Sequence, residues 1–207
     1  MNPRETAAVR RRYDRNARFY DLMEQPAERY RFAAWRRRFT QRIRGPRALE
    51  VGVGTGKNIP CYPREVDVVA VDFSPRMLLR AVRRAERLGR EVAFCEMDVQ
   101  ALAFADQSFD TVFAAFVFCS VPDPVRGLRE LRRVCRPGGR LLLLEHMRPE
   151  SGFRGRLFDA LNPLAVRMTG ANINRRTVEN IRRAGWRMRV EDRLAKDVVR
   201  WIEATAG

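Results

Sequence analysis

Five short apolar runs dominate the sequence from Arg47 onward: ALEVGV, VDVVAVDF, EVAFCEMDV, SFDTVFAAFVFCSV and RLLLLEH. Such runs lack the alternation of a strand with one wet face, so each reads as a strand covered on both sides. Helix signals fall between them. Ser74 and Pro75 open SPRMLLRAVRRAERLG and Gly89 closes it; Asp123 and Pro124 open DPVRGLRELRRVCRPGG, which ends at Pro137-Gly138-Gly139. A polar N-cap, proline at the first helical position and a terminal glycine form one consistent grammar. In the second helix Val125, Leu128, Leu131 and Val134 share a face. Strands alternating with helices predict a doubly wound, mostly parallel α/β sheet. WRMRVED and DVVRWIEA near the C-terminus add two strand candidates, bringing the expected sheet to seven. The chain reads as one domain: an N-terminal helical extension over 1–45, a core over 46–147, and an insert with the last strands over 148–207.

The first apolar run ends in Gly52, Gly54 and Gly56. Glycines so spaced let a backbone approach a ligand closely. A dinucleotide fingerprint needs G-x-G-x-x-G, and Lys57 stands where its third glycine belongs. A P-loop needs a second glycine five residues before the Gly-Lys pair and Ser or Thr after it; neither is present around Gly56-Lys57-Asn58. What remains is an apolar strand carrying Glu50, the G-x-G-x-G loop, and Asp72 closing the next strand.

Composition excludes other classes. No apolar run approaches the ~18 residues that span a bilayer, and MNPRETAAVRRRYDRN has no apolar signal core. A cytoplasmic location is therefore expected. Cys61, Cys95, Cys119 and Cys135 are widely spaced and read as free thiols; with His146 as the only histidine, no metal site is expected. The net charge is +16, and residues 1–44 hold 13 Arg against 5 acidic residues, 13 − 5 = +8. Only Lys57 and Lys196 are lysines. An arginine-rich surface suits a polyanion, either nucleic acid or an anionic membrane, while the preference for arginine over lysine also fits genomic base composition. The extension reads as two helices, one presenting Val9, Tyr13, Ala17 and Tyr20, the other Phe32, Trp35, Phe39 and Ile43, with arginines on the remaining surface. Such faces either pack on the sheet, cover the active site, or lie in a membrane interface.

At this point the chain resembles the class I S-adenosylmethionine-dependent methyltransferases, from about Leu49 to Glu145. LEVGVGTG, VVAVDFSPRML, CEMDVQALAFADQSFDTVFAAFVFCSVPDP and LRRVCRPGGRLLLLEH match that superfamily's motifs in order. The resemblance implies a Rossmann-like fold and S-adenosylmethionine as cofactor. It assigns Glu50, Gly52, Gly54, Gly56 and Asn58 to the cofactor loop. Asp72 would bind the ribose hydroxyls, the logic of the acidic residue in dinucleotide folds. Phe73 and Met77 would pack on the adenosine, Asp98 would meet the adenine amino group, Val99 would offer backbone contact, and Phe116 would wall the site. Turn or cap roles compete for Asp98, and Asp106 and Asp110 read as turn residues.

The acceptor leaves weaker traces. The [DN]-P-P-[FYW] motif of amino-base methyltransferases and the Pro-Cys of cytosine enzymes are absent from FVFCSVPDP, so nucleic acid is disfavoured as a partner. YDRNARFYDLM resembles the N-terminal segment of quinone C-methyltransferases and bacterial phosphatidylethanolamine N-methyltransferases, which implies Tyr20 over the methionine end of the cofactor. VPDP and a histidine after the fifth strand also resemble the phospholipid enzymes. CSV, EH and GANINRRTVENIRRAGW resemble a membrane-associated family that methylates thiols. In the insert, Phe153, Leu157, Leu161 and Leu164 share a face beside Arg154, Arg156 and Arg167. It reads as a lid over an acyl chain with arginines for a phosphate, or as an amphipathic segment completing the core. Tyr13, Tyr20 and Phe116 suit a methylated ammonium, and His146 suits a base for a phenol, thiol or quinol or a structural role at a strand end. The first reading is N-methylation of phosphatidylethanolamine, the alternative is methylation of a quinone, thiol or other small lipophilic metabolite, and a remote third is a nucleic-acid-directed or non-catalytic member of the fold.

Overall fold

The computed structural model describes residues 6, 7, 9–11, 13–15 and 32–207. Tyr20, Ala17 and the rest of YDRNARFYDLM beyond Arg15 lie outside the described residues. Seven strands form one sheet: β1 (Arg47–Val51), β2 (Asp67–Asp72), β3 (Ala93–Glu96), β4 (Phe109–Ala115), β5 (Cys135–His146), β6 (Trp186–Leu194) and β7 (Val199–Ala206). Their order across the sheet is β3-β2-β1-β4-β5-β7-β6. The first five pair in parallel; β7 runs antiparallel between β5 and β6. The predicted doubly wound, mostly parallel sheet of seven strands is the observed one.

Helices cover both faces. On one side lie α1 (Ala33–Thr40) and α2 (Pro75–Arg87), whose Phe39, Leu78, Ala81 and Ala85 join Ala70, Phe113 and Leu142 of the sheet. On the other lie α3 (Pro124–Val134) and α5 (Thr177–Arg183), whose Leu128, Leu131, Val134 and Ile181 meet Val69, Val112 and Leu141. Caps are made as read: the Ser74 hydroxyl accepts from the Met77 amide at 3.2 Å and Asp123 from the Arg126 amide at 3.0 Å. Pro137-Gly138-Gly139 does not end a helix; α3 stops at Val134, and these residues bulge out of β5 between the Cys135 and Arg140 pairings. Gly138 at φ +73° makes that bulge possible.

The insert is one helix, α4 (Gly152–Thr169), with Pro163 inside it and Gly170 in the left-handed conformation as its stop. It leaves the sheet at the end of β5, six residues after His146. All four cysteines are free. No described helix is long and apolar enough to cross a membrane.

Candidate active site

The strand order reverses between β1 and β4, and the crevice at their carboxyl ends is where such sheets take ligands. The loop after β1 enters that crevice with Gly52, Gly54 and Gly56 at φ +64°, +57° and +79°. The three glycines do different work. A Cβ on Gly52 would strike the Val117 methyls at 2.5 Å and one on Gly56 would strike Ile59 at 2.5 Å, so both serve close packing. A Cβ on Gly54 would meet no atom nearer than 4.0 Å and would project into open space. Gly54 therefore forms the floor of a cavity.

Two adjoining cavities share Gly52, Asp72, Phe73, Val117 and Ser120. The first also takes in Tyr13, Arg36, Glu50, Gly54, Lys57, Asn58, Met77 and Phe116. The second takes in Thr6, Met97, Asp98, Val99 and Gln100. Gly56 lines neither, nor does His146. The arginines of the insert lie apart from both: Arg156 and Arg167 are exposed on α4 and Arg154 is half-buried.

Asp72 stands between the two cavities. One carboxylate oxygen accepts from the Gly54 amide at 2.8 Å and the other from the Ser74 amide at 2.9 Å, which fixes the plane of the group. Burial pushes its pKa up to about 6 against the pull of those amides. Asp98 accepts from the backbone amide of Gln100 at 2.9 Å and from its side-chain amide at 2.9 and 3.0 Å. Gln100 in turn accepts from the Asp123 amide at 3.0 Å, tying the β3 loop to the cap of α3.

At the other end, Glu50 is buried with Asn58 donating to it at 2.6 Å and the Tyr62 hydroxyl bonded to its second oxygen. Asn58 accepts from Arg36 at 3.0 Å. Burial pushes Glu50 up to about 8, opposed by the Asn58 bond and by the charge of Arg36. Arg36 corrects one expectation. The arginines of α1 were assigned to the outer surface, yet Arg36 is buried, points into the cavity and lies 5.3 Å from the centre of the Phe116 ring. Its neighbours Arg37 and Arg38 remain outside.

Phe116, the residue after β4, lies in the left-handed region at φ +61°, costly for a bulky residue and found where surrounding structure enforces it. Its amide donates to Leu144 at 2.7 Å. Phe32 packs on it with ring centres 5.0 Å apart, and His146 at 4.6 Å. The imidazole thus sits one ring behind the cavity wall. Tyr13 meets Phe73 edge-on at 6.0 Å, and Asp14 accepts from the Ser74 hydroxyl at 2.6 Å. The described part of the N-terminal segment therefore lies against the cavity.

Glu145 escaped notice in the sequence beside the conspicuous His146. It is fully buried and accepts from the amides of Val117 at 2.8 Å and Phe118 at 3.0 Å. Arg175 holds the far end of the same loop by donating to the Val121 carbonyl at 2.8 Å. These residues shape the wall against which Gly52 packs.

Comparison with known proteins agrees with this geometry. A family profile described as a methyltransferase domain matches residues 49–143, the stretch from β1 into β5. Among curated relatives, a phosphatidylethanolamine N-methyltransferase of Cereibacter sphaeroides is 44% identical over 111 residues, 53% of this chain and 55% of that one. A demethylmenaquinone methyltransferase of Thermus thermophilus is 39% identical over 146 residues, 67% of this chain and 66% of that one. The chain thus spans between half and two thirds of these relatives. A solved structure from Thermotoga maritima, described as a SAM-dependent methyltransferase and possible histamine N-methyltransferase, superposes with a TM-score of 0.72 at 20% identity, covering 96% of this chain and all of that one. The chain belongs to the class I S-adenosylmethionine-dependent methyltransferases.

S-adenosylmethionine is accordingly the cofactor, and the residues present fit it. The space above Gly54 is a cradle that any side chain there would fill. The double cavity offers a carboxylate between two compartments, the one beside Glu50 and Lys57 being the more polar.

Proposed function

We propose that this methyltransferase acts on a lipophilic, membrane-borne acceptor, and specifically on the amine of phosphatidylethanolamine. In this reading Asp72 holds the ribose hydroxyls, Asp98 and Val99 face the adenine, and Phe73 and Met77 pack on the adenosine. Arg36 and Lys57 suit the methionine carboxylate, and Glu50 suits its ammonium group. Bound S-adenosylmethionine supplies an electrophilic methyl group on a sulfonium, so the protein need only align the acceptor and exclude water.

One observation carries the choice of an amine. The wall beyond Gly54 is aromatic, with Phe116 facing the cavity and the His146 ring stacked behind it. An amine attacks with its own lone pair and loses its proton to solvent after the new N–C bond forms; it needs no base in the wall. The ammonium that results is favoured by aromatic faces, by ~0.5–2 kcal/mol. The nearby phospholipid N-methyltransferase relative supports the same choice.

A quinol carbon or a thiol is the second reading, favoured by the quinone methyltransferase relative, which matches over more of the chain. Such acceptors need a base, and His146 lies one ring away. A labelled-methyl assay on a membrane lipid extract, with the product identified by mass, decides between them. Labelled methylated phosphatidylethanolamine, retained in His146→Gln, is the expected result. A labelled quinone or thiol, abolished by His146→Gln, would establish the second reading.

A further inference from the structure

The helix α4 wears its apolar side outward. Phe153 is 80% exposed, Leu157 46%, Leu161 44% and Leu164 57%. At ~100° per residue these four fall within a single quarter of the helix surface. The opposite side is the one tied to the protein, and the ties are largely polar. Asn162 accepts from the Ile173 amide at 2.9 Å and donates to Asn172 at 3.2 Å. On the same side, Asp159 pairs with Arg148 at 2.8 Å and accepts from Asn174 at 3.2 Å. Gly155 lets the helix lie close, since a Cβ there would strike the Arg148 guanidinium at 2.5 Å.

A helix packed to complete a core has the reverse arrangement. Both sequence expectations for this segment, a lid over an acyl chain and a core-completing insert, place the leucines inward. Here the exposed Arg156 and Arg167 line one edge of the outward apolar stripe. Apolar side chains bordered by cations match the boundary between acyl chains and anionic headgroups. The charge of +16 gives the same surface long-range attraction. The helix is ~27 Å long, enough for a shallow foothold parallel to a membrane.

We propose that α4 is the docking surface of this protein for an anionic phospholipid bilayer, lying in the headgroup layer with its leucines and Phe153 down. The inference rests on the membrane-borne acceptor proposed above and names the element that reaches it. Because α4 follows His146 by only six residues, docking sets the carboxyl end of the sheet toward the lipid.

The test is co-flotation with vesicles of phosphatidylcholine and phosphatidylglycerol, without acceptor, at low and high salt. The wild type is expected to bind. Phe153→Ser with Leu164→Ser, both well exposed, is expected to lose binding at least tenfold at either salt. Arg156→Glu with Arg167→Glu is expected to lose at least tenfold at low salt and little at high salt. Wild-type binding by the Ser variant overturns the proposal, as does failure of the wild type to float. A dimer in sedimentation velocity that the Ser variant disperses, with no flotation, assigns the face to a second copy and overturns it too. Thermal melting and turnover of a short-chain soluble phosphatidylethanolamine by the Ser variant separate the two readings. Docking through α4 with no methylated phospholipid leaves this inference standing and removes the acceptor; methylation with unaltered docking does the reverse.

Discussion

At the residue scale, Asp72 and Gly54 form a pair joined by a 2.8 Å hydrogen bond, one supplying charge and the other space. The Asp72 carboxyl is neutral below about 6, and in the role proposed for it at the ribose a neutral carboxyl presents one acceptor fewer. Calorimetry should therefore show cofactor affinity steady above that value and weakening about tenfold per pH unit below it. Asp72→Asn should bind weakly with no such slope; a slope retained in Asp72→Asn would assign the titration elsewhere. Gly54→Ala tests the space. Its φ of +57° costs a side chain ~1–2 kcal/mol, so melting should drop by roughly 2–8 °C while the fold persists. Cofactor binding should vanish, because the added methyl occupies the cradle. Arg36 shows where residue type misleads at this scale. Three consecutive arginines, Arg36 to Arg38, differ only by rotation about the helix. The ~100° step between neighbours decides which one enters the protein, and Arg36, four residues after Phe32 and three before Phe39, falls on their face; its charge, not its position, is what argued for solvent.

Among the elements, the loop after β4 depends on a carboxylate in β5. Glu145 holds the amides of Val117 and Phe118, and Val117 in turn abuts Gly52. Glu145→Ala leaves buried donors without an acceptor, a loss of about 2–4 kcal/mol by urea unfolding. Glu145→Gln keeps an acceptor oxygen and should lose under half as much. Both should raise the KM for cofactor, since the wall that Gly52 packs on is no longer fixed; an unchanged KM in Glu145→Ala would make the group purely structural. The strands themselves were legible, because continuous apolar runs between capped helices admit few other folds. The conformation of the glycine loop was legible for the same reason, since glycine spacing is a backbone requirement written directly in residue type. The direction of α4 was not. Apolar residues at helical spacing suit a core and a bilayer equally, and only the inward bonds of Asn162 and Asp159 show which side is which.

For the whole molecule, three buried carboxyls share one consequence. Glu50, Asp72 and Glu145 are pushed by burial up to about 8, 6 and 7. Each binds its proton more tightly folded than unfolded, where the value is ~4. Their contribution to stability is therefore greatest below the unfolded value and is lost as pH rises toward the folded ones. The cofactor-free protein should lose melting temperature between pH 6 and pH 8, and Glu50→Gln should lose less over that interval. Parallel curves for the two proteins would mean that Glu50 stays ionised throughout. Added cofactor should offset more of the loss at pH 8, where Asp72 carries its charge.

The scarcity of lysine gives the cavity a chemical signature. Of 41 basic residues only Lys57 and Lys196 carry a primary amine on the side chain, and Lys57 lines the cavity. Acylating reagents that mark dozens of sites on an ordinary basic protein have almost none here, and one of the two lysines lines the cavity proposed for the cofactor. Occupancy of the site is therefore readable as a footprint on a single peptide, against a surface of guanidinium groups that such reagents ignore.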